Sequence, residues 1–145
     1  MLEDGIISGL LVGEGIVGRY GELLKLGRRG DNLTPHHLPA NAYMVAKASG
    51  YMRNQGIAIM MEHPTPGAGG RHRQTLSYGK SPDLRLLPRQ VLARETQDLR
   101  SIYQHQGVYN KEMKHNLRSL VPLNKSVWIS VLKSRSILYE SEFTD

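Results

Sequence analysis

Two histidines stand side by side in "NLTPHHLPA" at residues 32–40, and a third lies between two arginines in "GGRHRQTLSYG" at 69–79. Imidazoles and guanidiniums in segments bounded by Gly and Pro are side chains that phosphodiester cleavage needs. An unperturbed imidazole titrates near 6.5, so it can accept a proton at neutral pH. A guanidinium neutralises the charge that builds on a phosphorane-like transition state. Neighbouring positions point apart on any regular element, so His36 and His37 divide the labour. One is a general base or metal ligand, the other structural or a second ligand. Two loop histidines that only satisfy local hydrogen bonds are the plainer alternative.

The intervening "EHPTPGAGGRHR", residues 62–73, adds Glu62 and His63 ahead of His72. Carboxylate plus imidazole, as in His37, Glu62 and His72, suits a divalent Mg, Mn, Ni or Zn ion with positions open to water and a phosphate oxygen. A strand, Gly-rich loop and second extended segment over "RHRQTLSYG" would bring Glu62 and His72 together across a turn. Arg71 and Arg73 are the candidate phosphate contacts, with Thr75, Ser77 and Tyr78 as hydroxyl donors. Ser77 lacks the strand–turn–helix setting of a serine nucleophile. Asp31, Asn32 and Thr34 either orient an imidazole or build a turn, the turn being the commoner use. His36 or His37 is expected close to His72 in one basic cleft, whereas His105 and His115 fall on expected helices and face solvent.

Those residues need a scaffold. "GIAIMMEH" at 56–63 is a short apolar strand, and "ANAYMVAKASG" carries helical spacing over 40–49 up to Gly50. "PRQVLARETQDLRSIYQHQG" gives an amphipathic helix over 89–105 ending at Gly107. "YNKEMKHNLRSLVP" repeats the pattern over 109–120, stopped by Pro122. "KSVWISVLKSRSILY" is apolar and β-branched, compatible with helix or strand. "GRRGDNLTPHHLP" is loop by composition. Glycines recur through residues 5–27, so a helix over 15–26 is weak, because interior Gly costs about 1 kcal/mol relative to Ala. The expected fold is α+β and predominantly helical, with a small β-containing or irregular site. Residues 1–28 form a Gly-rich connector and 29–145 the functional domain.

At 145 residues, 39% hydrophobic and 22% charged, the chain can bury a core as one domain. Having no cysteine excludes disulfides, thiolate–zinc sites and thiol nucleophiles. Nineteen Lys and Arg against 13 Asp and Glu leave a net charge of +6 and a pI of about 9.7. That balance favours a polyanionic partner, nucleic acid or an acidic protein. No stretch reaches the roughly 18 apolar residues of a membrane-spanning helix. The start, Leu2-Glu3-Asp4, has none of the positive charge that opens a signal peptide.

With His36-His37-Leu38-Pro39, the strand "GIAIMME" and "RHRQTLSYG" together, the chain resembles the C-terminal toxin domains of bacterial polymorphic toxins. More closely, it is similar to the HNH/endonuclease VII superfamily (His-Me finger nucleases) of the x-His-His type. The resemblance spans roughly residues 30–120. Arg71 stands where that pattern often has Asp, which moves any acidic ligand towards Glu62. The resemblance implies a metal-dependent nuclease toxin, with DNA the favoured target and an acidic immunity protein as partner. One histidine of the pair would activate the water, His72 would help hold the metal, and Arg73 would complete the catalytic set with His36 and His37. It also implies a C-terminal fragment of a larger delivery protein, released by a producing bacterium to act in the target-cell cytoplasm. Two alternatives remain open: a metal-independent ribonuclease or other toxin enzyme, and a non-enzymatic basic nucleic-acid-binding domain. Aromatic content of only 6% speaks against the last.

Overall fold

The computed structural model describes residues 9–132. Along the chain run β1 (Val17–Arg19), α1 (Tyr20–Leu26), β2 (Leu33–His37), α2 (Asn41–Lys47), β3 (Ile57–Glu62), α3 (Pro88–His105) and α4 (Lys111–Leu132). Among the described residues this is an α+β fold, predominantly helical, with one three-stranded antiparallel sheet in the order β1-β3-β2. β3 is central because all but its last residue are apolar, so both of its faces can be covered. Ile57, Ile59 and Met61 pack into the larger core with Leu38, Tyr43 and Met44 and the buried residues of α3 and α4, among them Leu99, Tyr103, Leu117 and Leu120. Ala58 and Met60 point the other way, onto Tyr20 and Leu23 of α1. The sheet is thus a septum between α1 and the three longer or later helices.

The segment expected to be loop around the histidine pair is a strand. Pro35 accounts for both the expectation and the outcome. It donates no N–H, so it weakens a strand pattern, yet it is tolerated on an edge strand. β2 is such an edge, with Pro35 opposite Met60 and no strand among the described residues on its far side. The converse holds at 71–79. No second extended segment forms there; a 3-10 turn at His72–Gln74 leads into further turns up to Gly79.

Pro122 does not stop the last helix, which runs from Lys111 through Leu132. The proline forfeits one bond, to the carbonyl of Arg118. Buried Leu117 and Leu120 before it, and Asn124, Val127 and Trp128 after it, hold both halves against the core. Residues 125–132 of the ambiguous apolar stretch are accordingly helix; the rest of it lies outside the described residues.

The expected connector is, from residue 9 onward, part of the fold. Residues 11–15 turn into β1, the N–H of Gly15 bonds the carbonyl of Met60, and α1 seals one face of the sheet. The decisive anchor is Glu14, whose side chain has 0% exposure. Its Oε1 accepts from Leu11 N at 3.1 Å and Arg71 Nη2 at 2.6 Å. Its Oε2 accepts from Glu62 N at 3.1 Å, Arg71 Nε at 2.8 Å and the Tyr103 hydroxyl at 2.9 Å. Arg71 also donates to Gln106 Oε1 at 2.8 Å and to the carbonyl of Gly9. A fork-to-fork pair of this kind satisfies every charged atom that burial takes from water.

Arg71→Ala therefore leaves a buried, unpaired carboxylate at a position that the sequence marks only as a phosphate contact. We expect a loss of about 3–5 kcal/mol, measured by urea unfolding at pH 7, with Glu14→Ala equally damaging. A loss under about 1 kcal/mol in both would show that the pair does not anchor the fold.

Candidate active site

The strand's period of two decides the fate of the histidine pair. His36 lies opposite Ile59 and so faces the larger core, whereas His37 lies opposite Ala58 and faces α1. The His37 ring stacks on Tyr20 at 4.1 Å and its Nε2 donates to the carbonyl of Arg53 at 2.9 Å. Arg53 in turn donates to the Tyr20 hydroxyl at 2.7 Å. His37 is packed and hydrogen-bonded, the plainer of the two uses open to a paired histidine.

His36 is the member that meets the second motif. Its ring lies 5.0 Å from that of His72, edge to face, and His72 lies 4.8 Å from His63. The 3-10 turn aims His72 back at β2, and the Thr75 hydroxyl closes that turn on the His72 carbonyl at 2.8 Å. Thr75 is buried and spent on this bond, so it is not the substrate donor it was expected to be. His63 was noted in the sequence without a role. It ends up here because Asn32, in a left-handed turn (φ 58°), holds the far side of the Gly-rich loop. Asn32 accepts His63 N at 2.7 Å on its carbonyl and Thr65 N at 3.2 Å on its side chain. Asp31 caps the same turn through Leu33 N and Arg28 N, so both residues serve the turn.

The hydrogen bonds assign the protons. Arg73 Nη2 donates to His63 Nε2 at 3.2 Å, so His63 carries its proton on Nδ1. That Nδ1 faces His72 Nδ1 at 2.9 Å and donates to it, leaving the His72 proton on Nε2. The result is a relay, Arg73 to His63 to His72, with His36 against its end. Burial, then the neighbouring His72 and His37, lowers His36 to about 3. Burial, then His63 and Arg73, lowers His72 to about 4. Both imidazoles are neutral at pH 7.

His36 and His72 line a cleft of about 620 Å³ together with Ser77, Tyr78, Arg53, Lys80 and Arg94. Tyr78 is 43% exposed and touches the rings of His72 and His63 at 5.3 and 6.3 Å. Ser77 and Tyr78 therefore line the cleft as expected of them, and Arg73 lies beside His63. Arg71 does not, since it is 4% exposed and committed to Glu14. Lys80, Arg94 and Glu95 had no signal in the sequence, because nothing in a helical period says which face will flank a cleft.

The structure does not gather the three residues expected to hold a divalent ion. His37 faces α1, and Glu62 Oε1 accepts from Arg71 N at 3.1 Å with its guanidinium 3.6 Å away. His72 Nδ1 receives the His63 proton. Among the described residues no group of three or more His, Asp and Glu is arranged around a common point. No helix among them is long and apolar enough to cross a membrane. No family model, curated protein or solved structure matches the chain at a significant level.

The buried imidazoles make the protein acid-sensitive. Between about pH 6.5 and pH 3–4 the unfolded chain binds protons that folded His36 and His72 refuse. Their contribution is therefore complete above 6.5 and falls away as pH drops below it. Glu95, pushed up to about 7 by burial, acts in the opposite sense over part of that range. An NMR titration separates the groups: both imidazoles should remain neutral at pH 5, where a free imidazole is charged. Charged His36 at that pH would contradict the buried cluster.

Proposed function

We propose that this chain is a nuclease domain that cleaves phosphodiesters by imidazole acid–base chemistry, with RNA as the substrate. The observation that carries the reading is the His36–His72–His63–Arg73 cluster at the wall of a cleft bordered by Arg53, Lys80 and Arg94 as well as Asp83 and Glu95. His36 takes the proton of an attacking 2′-hydroxyl. Once the phosphate is bound, His72 takes a proton from solvent and, as an imidazolium, gives it to the leaving oxygen, while His63 and Arg73 hold its ring in place. An arriving phosphate places negative charge beside these rings and raises their basicity from the low values of the free protein. Arg73, Ser77 and Tyr78 hold the phosphate.

RNA is favoured over the DNA expected from the sequence because it brings its own nucleophile. With the expected ligands apart, an internal 2′-hydroxyl needs only a base and an acid, whereas DNA needs an activated water. The resemblance to polymorphic-toxin domains supports a role as a delivered toxin. The net charge of +6 suits both an RNA substrate and an acidic immunity protein.

The test is incubation with total RNA and with plasmid DNA, each with Mg and with EDTA. RNA should be cut in both conditions. His36→Ala and His72→Ala should each lose about 10²–10⁴-fold in rate, with His63→Ala losing less because it only positions His72. DNA cleavage abolished by EDTA would establish the metal-dependent enzyme instead. RNA and DNA retarded in gels but uncut under all conditions would leave only a binding module.

A further inference from the structure

The cleft continues past the histidines to a polar floor. Asn41, Tyr43, Leu86, Val91 and Glu95 line it, and two of them are acceptors in search of donors. The Asn41 Oδ1 atom is buried with no hydrogen-bond partner. An orphaned buried acceptor of this kind is costly to leave unmatched, and a donor in the functional complex would recover that cost. Glu95 is 8% exposed, and the one protein donor the structure gives its carboxylate is the N–H of Ala40 at 2.9 Å. Ala40 and Asn41 are consecutive, so that bond anchors Glu95 to the same end of α2 from which Asn41 lines the cleft. The walls are apolar or already satisfied: the Tyr43 hydroxyl donates to the Leu86 carbonyl at 2.5 Å.

We propose that Asn41 and Glu95 form a base-reading subsite that selects guanine in the substrate strand. This rests on the nuclease reading above and names its specificity. Guanine is the one common base whose pairing edge offers two adjacent donors, N1–H and the N2 amino group. Uracil offers a single N–H between two acceptors, and adenine and cytosine offer an amino group beside an acceptor. Against two neighbouring acceptors those edges set lone pair against lone pair. Guanine gives each acceptor an N–H and returns the Glu95 carboxyl, which burial and then the nearby Asp98 drive towards its neutral form, to a charged one. A bidentate reader of this kind is worth about 1–3 kcal/mol of discrimination, or roughly fivefold to 150-fold.

Two measurements on the full chain test it. Calorimetric titration with the four nucleoside 5′-monophosphates should rank GMP first by at least about fivefold. Cleavage of RNA oligonucleotides that differ at one position should then be fastest where that base is G. Asn41→Ala and Glu95→Gln should erase the preference in both assays, and Asn41→Asp, which keeps the acceptor, should retain it. Selective GMP binding without cleavage of any RNA would sustain the subsite and overturn the nuclease. Cleavage with four equal nucleotide affinities would overturn the subsite and leave the nuclease standing. A preference for guanine that survives both Asn41→Ala and Glu95→Gln would overturn it as well.

Discussion

The rest of the structure hangs on a carboxylate with 0% exposure, Glu14, and the guanidinium of Arg71 that it holds at 2.6 Å. The pair joins elements far apart in sequence. Glu14 precedes β1, Glu62 N ends β3, Tyr103 belongs to α3, and Arg71 leads directly into His72. Two desolvated charges cost several kcal/mol each unless every lone pair and proton is matched. Here they are matched from four directions, which leaves the backbone at residue 71 little freedom. The position of His72, one residue later, is inherited from that geometry.

From that anchor the cluster assembles by elementary rules. Strand alternation sends His36 and His37 to opposite faces, so adjacency in sequence becomes separation in space. The Gly-rich loop after β3, tied by Asn32, folds back far enough for His63 and His72 to share one proton. Three imidazoles in contact would repel one another if charged, and burial keeps His36 and His72 neutral. The arrangement is thus permitted because burial holds those two rings neutral while Arg73 donates to His63 from the outside.

Periodicity carried the helices well. Val91, Leu92, Leu99, Ile102 and Tyr103 are buried along α3 as their spacing implies, and the apolar run at 57–61 is the central strand. It failed where one residue's rule competed with its surroundings. Pro35 looked like a loop residue and sits on a sheet edge; Pro122 looked like a stop and is carried through by packing on both sides. Glycines spaced through residues 9–27 looked like a linker, although turns and close approach between strands use the same residue.

What the sequence by itself determined is local: an α+β chain, helices where apolar residues recur every three to four positions, and two histidine-bearing motifs in a basic background. These follow from side-chain type and spacing alone, and they included the meeting of the histidine pair with His72. Only the tertiary structure decided which histidine meets it, that Arg71 is an internal strut while Arg73 bonds His63, and that Glu62 is engaged by Arg71. It also brought Asn41 and Glu95, one helix and 54 positions apart in the numbering, to the floor of one cleft. The reason is physical. Secondary structure is set by interactions within a few residues, whereas charge pairing, desolvation and the lining of a cleft depend on groups that meet only when distant segments pack.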